Sequence, residues 1–289
     1  MTSRQAARLL GVSEASVKRW ADGGLLPALK TAGGHRRFRP EDVAAFRQGA
    51  SKGTRLRSLA RQAAPEGEAA RLDETLAAAM FDTLVDGQAE EAASTLVNLH
   101  LQGHTVGRIA DAVLCPALRR VGDLWQSGDL SVAQEHLATR TALSGLQALR
   151  AAAKPGAPSG VWPAICCGVE EDFHELPVHV AALTLEAAGW EVVNLGMSTP
   201  FYALTESVAR FRPRLVCVAS TVFHHPDRAA REYVEFGAAV KRAGASVILG
   251  GTGFAPERVR QRFPADLYAD TFTQLEEHAA ALKGAAGGG

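Results

Sequence analysis

The spacing of apolar positions divides the chain near residues 154–160. Before that point they recur at the three-to-four-residue interval of amphipathic helices, and after it they gather into short runs. The helical interval predicts helices over about 71–86, 88–102, 105–124 and 131–150, punctuated by Gly87, Gly103 and Gly128. Four such helices with short connections read as a bundle. Beyond the segment Lys154-Pro155-Gly156-Ala157-Pro158-Ser159-Gly160, Val- and Ile-rich runs occupy 161–169, 190–195, 214–220 and 245–249. Helical stretches at 178–188, 201–211, 228–243 and 255–262 alternate with them, and a strand near Leu267-Tyr268-Ala269 and a helix at 273–283 follow. That alternation predicts an α/β, Rossmann-like, doubly wound parallel sheet, which binds ligands at the carboxyl ends of its strands.

The first fifty residues follow a different rhythm. A short helical pattern at 3–10 stops at Gly11, and Ser13 is placed to cap a second helix, 14–20. Ala6, Leu9, Leu10, Val12, Val17 and Trp20 would form the small core of a helix-turn-helix. Gly33-Gly34-His35-Arg36-Arg37-Phe38 reads as a β-wing with cations at its tip, and another helix starts at Pro40. Residues 48–70, with Gly49, Ser51, Gly53, Pro65 and Gly67, show no sustained apolar period and are expected to be a mobile linker. The expected division is a DNA-binding head over 1–48, a linker over 49–70, a bundle over 71–153 and a sheet domain over 160–284. The glycine-rich end from Gly284 reads as a tail.

Charge sharpens this picture. Residues 1–62 hold 13 Lys/Arg against 4 Asp/Glu; subtraction from the totals of 31 and 31 leaves 18 against 27 for the rest. A head of balance +9 on a body of balance −9 suggests that the head meets a polyanion. The 289 residues, 47% apolar, contain no run long enough for a membrane span, and the first residues lack a signal-peptide core. Cys115, Cys166, Cys167 and Cys217 have neither zinc-site spacing nor disulfide density, so reduced thiols in a cytoplasmic protein are expected. No nucleophile paired with a base and no phosphate-binding loop argues for an enzyme.

The candidate chemistry lies in the strand-end loops. Asp172-Phe173-His174 follows the first run, Ser220-Thr221-Val222 the third, and Gly250-Gly251-Thr252-Gly253 the fourth. A neutral imidazole can bind a metal, and a carboxylate two residues earlier can hold or tune it. Glycines allow a close backbone approach at the same rim. In the bundle, Trp125 precedes Glu135-His136 by ten residues. A purely structural reading buries Trp125 and exposes the other two, whose directions differ by about 100° on a helix.

The head resembles the winged helix-turn-helix of the MerR/excisionase type on Gly-Gly-His-Arg-Arg-Phe. No heptad pattern for the long dimerising coiled coil of typical MerR proteins follows. The sheet loops resemble a cobalamin-binding domain with D-x-H-x-x-G, S-x-L and G-G motifs. Pro177 and Val222 stand where that family has glycine and leucine. Head, bundle and sheet together resemble the CarH/LitR family of B12-dependent photoreceptor repressors over nearly the whole chain. The resemblance implies adenosylcobalamin, with His174 as the lower cobalt ligand, Trp125 over the corrin, and Glu135 and His136 near the adenosyl group. Asp172, Ser220, Val222, Gly250 and Gly251 complete the implied cofactor site. Double-stranded operator DNA is the implied partner, met by Ser16, Lys18 and Arg19 and by the wing's His35, Arg36 and Arg37. It further implies a homo-oligomer, dimer or tetramer in the dark, that changes state and DNA affinity when light cleaves the cobalt–carbon bond. One departure matters. Gln126 stands where the family has a histidine that binds cobalt after illumination, and an amide binds cobalt far more weakly. The lit state would then carry water, or His136 or the pair His224-His225 would supply a nitrogen. The alternative is a light-independent regulator that binds cobalamin without switching or has lost dependence on it.

Overall fold

A computed structural model describes residues 1–10, 17–18, 21, 26–30, 36–44, 66–153 and 162–286. These form two compact units, Met1–Thr105 with Ala112–Lys154, and Val106–Asp111 with Pro155–Gly289.

In the first unit, α1 (Ser3–Leu10) precedes a two-stranded antiparallel wing, β1 (Leu29–Lys30) and β2 (Arg36–Arg37). The chain start lies alongside the wing: the terminal amine donates to Phe38 O at 2.7 Å, and Phe38 N donates to Met1 O at 2.9 Å. Four longer segments follow: α2 (Glu66–Val85), α3 (Ala89–Leu101), α5 (Cys115–Ser127) and α6 (Val132–Ala152). Before α5 in sequence come the short α4 (Val106–Ile109), which belongs to the second unit, and a π-helical turn, Ala110–Leu114. The predicted third helix is thus interrupted by a wider turn, and the first begins earlier than expected, at Glu66. Linker residues before that point lie outside the described residues. The head was expected to move independently of the bundle. Instead Ala6, Ala7, Val17, Leu26, Phe38, Val43 and Ala44 share one buried cluster with Val97, Leu101 and Ala152 of α3 and α6. A head this small buries little surface alone, and the bundle completes its core.

The second unit is built on a five-stranded sheet: β3 (Pro163–Val169), β4 (Glu191–Thr199), β5 (Leu215–Ala219), β6 (Ser246–Gly250) and β7 (Leu267–Ala269). All pairings are parallel, in the order β4-β3-β5-β6-β7. Its helices are α7 (Glu175–Ala187), α8 (Phe201–Phe211), α9 (Pro226–Ala243), α10 (Glu257–Arg260) and α11 (Phe272–Ala286). Strand β3 is apolar throughout because both faces are covered. Ile165, Cys167 and Val169 join the cluster around Phe201, Tyr233, Phe236 and Phe263, whereas Ala164 and Cys166 join the one around Val178, Leu185 and Trp190. Asp111 adds a cap at the start of α11, accepting from Phe272 N and Thr273 N at 2.9 Å and from Thr273 Oγ1 at 2.7 Å. The strand order reverses between β3 and β5, so the loops after these two strands flank the crevice where open α/β sheets bind ligands.

Candidate cofactor and DNA-binding sites

Asp172 and His174 occupy the β3–α7 loop at that reversal. His174 is the residue preceding α7, and Pro177 lies in the first turn, where its missing N–H breaks no helical bond. Asp172 is buried, 3% exposed, while the His174 ring is 55% exposed. The carboxylate uses both oxygens. Oδ1 lies 2.6 Å from His174 Nδ1 and accepts the His174 backbone N–H at 3.1 Å. Oδ2 accepts the backbone N–H groups of Thr221 and of Val222, the latter at 3.2 Å. Burial pushes this carboxyl's pKa up, but the bonds from the His174 ring, Thr221, the His174 backbone and Val222 outweigh it and hold it below the ordinary range. An ionised Asp172 requires Nδ1 to be the protonated ring nitrogen, and that tautomer presents Nε2 as the metal-binding lone pair.

The remaining rim residues lock two loops together. Ser220 is buried; its N–H donates to Gly250 O at 2.9 Å, and its carbonyl accepts from Gly253 N at 2.8 Å. Gly251 has φ +93°, and a Cβ there would stand 2.3 Å from Ser220 O; one on Gly253 would stand 2.2 Å from Ser220 Oγ. Both glycines are therefore required by this close approach, and Gly251 by its backbone conformation as well. Val222, Phe173 and Met197 leave exposed apolar surface. Met197 drew no attention in the sequence because it lies past the predicted end of its strand. His225, the alternative ligand raised above, sits with Nε2 3.1 Å from Glu171 Oε2.

In the first unit, α5 ends at Gly128, φ +86°, and α6 begins with a capping box in which Ser131 and Gln134 bond reciprocally. This shapes the α5–α6 corner through local bonds. Trp125 is 45% exposed rather than in the bundle core, and Val132 and Leu137 are exposed as well. Glu135 accepts from Thr139 Oγ1 at 2.9 Å, and its other oxygen lies 3.6 Å from His136 Nε2. Gln126 and His136 are exposed. Of the DNA-facing candidates, Lys18 and Arg37 are exposed and Arg36 is half-buried; Ser16, Arg19 and His35 lie outside the described residues.

Comparison with known proteins bears on both units. Residues 1–51 match the family described as a helix-turn-helix domain, and residues 67–150 and 164–278 match two families described as B12 binding domains. The HTH-type transcriptional repressor CarH of Myxococcus xanthus is 29% identical over 274 residues, 85% of this chain and 87% of CarH. CarA of the same organism is 28% identical over 286 residues, 94% of this chain and 93% of CarA. The chain is similar to CarH and CarA over most of its length. Its domains are those of a B12-binding, DNA-binding regulator, and these relatives are repressors, not enzymes. In fold, this chain is also similar to the monomethylamine corrinoid protein of Methanosarcina barkeri, with a TM-score of 0.60 at 15% identity over 73% of this chain and 99% of that one. Among the described residues no helix is long and apolar enough to cross a membrane.

Proposed function

We propose that this protein is a light-responsive transcriptional repressor that binds operator DNA through residues 1–48 as a homo-oligomer and holds adenosylcobalamin in its body. The observation that carries the reading is the Asp172–His174 pair at the sheet's reversal, on a chain that also bears a basic helix-turn-helix head. The donor set fits a corrin cobalt: an exposed imidazole, oriented through Nδ1 by a buried, ionised carboxylate, supplies a nitrogen ligand of fixed tautomer. When bound, adenosylcobalamin supplies a cobalt–carbon bond that visible light cleaves. His174 would hold the lower position, and Asp172 would keep its ring oriented. Ser220, Gly250 and Gly251, with Val222, would shape the rim for the rest of the cofactor. Trp125, Glu135 and His136 would cover the adenosyl side, a role supported by their exposure on a corner that folds locally. Each head is small, so tight binding to an operator requires several heads on one DNA. A change of oligomeric state then releases DNA without altering any base contact. Lys18 and Arg37, with Ser16, Arg19, His35 and Arg36, would meet base edges or phosphates.

The test is a gel shift with holo-protein in the dark and after green light, with sedimentation measured in parallel. The reading expects a shifted complex in the dark that is lost on illumination. Unchanged binding would remove the light response.

Gln126 favours a second reading, a regulator that binds cobalamin without switching. An amide there cannot match imidazole as a cobalt ligand once the upper position opens. Under this reading the protein stays red after desalting, and its oligomeric state and DNA affinity are the same in light and dark.

A further inference from the structure

Two residues beside the Asp172–His174 pair adopt a backbone conformation that L-residues avoid. Glu171 has φ +63° and Ser198 has φ +53°. They meet where the β3 loop passes the end of β4, 27 positions apart in sequence: Glu171 N donates to Ser198 Oγ at 3.0 Å. In return, Ser198 N donates to Asp172 O at 3.2 Å. Strand β4 is at the edge of the sheet, and its register slips twice against β3. Cys166 pairs with Asn194 but Cys167 with Gly196, and Val169 pairs with Thr199. Each slip adds a residue to β4, bending the strand. Asn194 Oδ1 accepts Gly196 N at 2.8 Å within the first slip, and Ser198 falls in the second. From there it reaches the carbonyl of the very residue that orients the His174 ring.

We propose that Ser198 is a positioning residue for cobalt coordination by His174: the bulged end of β4 and the Glu171 turn form a two-point clamp that fixes Asp172 from its backbone side. Thr221 and Val222 fix its carboxylate from the β5 side, so Asp172 is held at both ends. Backbone held in sparsely populated conformations persists where the surroundings over-determine it, and such positions cluster at ligand clamps. A turn needed only to reverse the chain would be served by glycine at both positions. Here a serine provides the acceptor that glycine lacks.

The inference rests on the reading of His174 as the lower ligand, and the experiment separates the two. Full-length protein is loaded with cobalamin in the dark and reduced to the cob(II)alamin state. Electron paramagnetic resonance then reads the superhyperfine splitting from an axial histidine nitrogen, with histidine-labelled protein identifying its source. Wild type shows the histidine splitting and His174→Ala loses it. Ser198→Ala and Ser198→Gly are expected to retain cobalamin while the equilibrium for histidine coordination falls roughly tenfold, the range seen when a residue supporting a metal ligand is removed. Ser198→Asn keeps a side-chain acceptor and tolerates the left-handed backbone, so it restores the splitting. The glycine variant guards against misfolding, since it relieves the backbone and keeps the chain stable. Full histidine coordination in Ser198→Gly, with His174→Ala still silent, would overturn the clamp and leave the cobalamin reading intact. Absence of the splitting in wild type would overturn the ligand reading itself, and the clamp with it.

Discussion

The strand-end loops around His174 and the α5–α6 corner around Trp125 are built on opposite plans. In the loops, a buried carboxylate is bonded to three other residues, and the glycines of a neighbouring loop pack against Ser220 at distances no side chain could share. At the corner the bonds are local, among them a capping box and the Ser127–Asp129 and Thr139–Glu135 pairs, and Trp125, Val132 and Leu137 are exposed. The first is a preformed seat, in which removing one member costs its partners as well. The second is a surface whose apolar area gains only when something covers it. Substitutions should therefore cost folding in one region and binding alone in the other.

The largest effect should come from Asp172→Asn. It puts an amide where three backbone N–H groups find a carboxylate and leaves His174 without its ionised partner, so the cofactor-free protein should lose about 1–3 kcal/mol of stability in denaturant titration. Cobalamin retention on desalting should fall about 10–100-fold as well. His174→Ala separates the two quantities. It takes the ring from the buried Asp172 carboxylate but leaves the backbone donors, so the cofactor-free chain should lose less stability than in Asp172→Asn while histidine coordination vanishes from the cobalamin spectrum. Trp125→Ala sharpens the contrast from the other side. Cofactor-free stability should change by no more than about 0.5 kcal/mol, as at ordinary surface positions, while retention of adenosylcobalamin weakens. A loss of stability matching that of Asp172→Asn would erase the distinction between the two regions. Gln126→His should leave the dark protein unchanged and alter only the spectrum after illumination, by supplying a nitrogen where an amide now stands. The smallest expected change is Arg37→Ala on the wing, which should weaken DNA binding evenly across sequences and lower the salt slope by about 1.

Much of the second unit was legible because parallel strands buried on both faces read as continuous apolar runs. Those at 161–169, 214–220 and 245–249 coincide closely with β3, β5 and β6. The loop motifs were legible for the same reason, since each directly follows such a run. Strand β4 was cut short at 195, and the missing piece holds Gly196, Met197 and Ser198. Two register slips break the alternation there, and no periodicity survives them. The contact between Glu171 and Ser198 has no local signature either, because left-handed backbone is expected of glycine and neither residue is one. In the first unit the start of α6 has a local signature, the capping box Ser131-x-x-Gln134. The turn at Ala110–Leu114 and the shared core of head and bundle depend on tertiary packing, which overrides helical spacing.

Helix α6 runs 21 residues without a break, about 31 Å at the usual rise per residue. Its opening turn bears Glu135 and His136, and its closing turn lends Ala152 to the hydrophobic cluster that seats the head. A rod of that length turns a tilt of about 5° at one end into a shift of nearly 3 Å at the other. A tilt imposed at Glu135 and His136 would thus arrive, enlarged, at the cluster that seats the head.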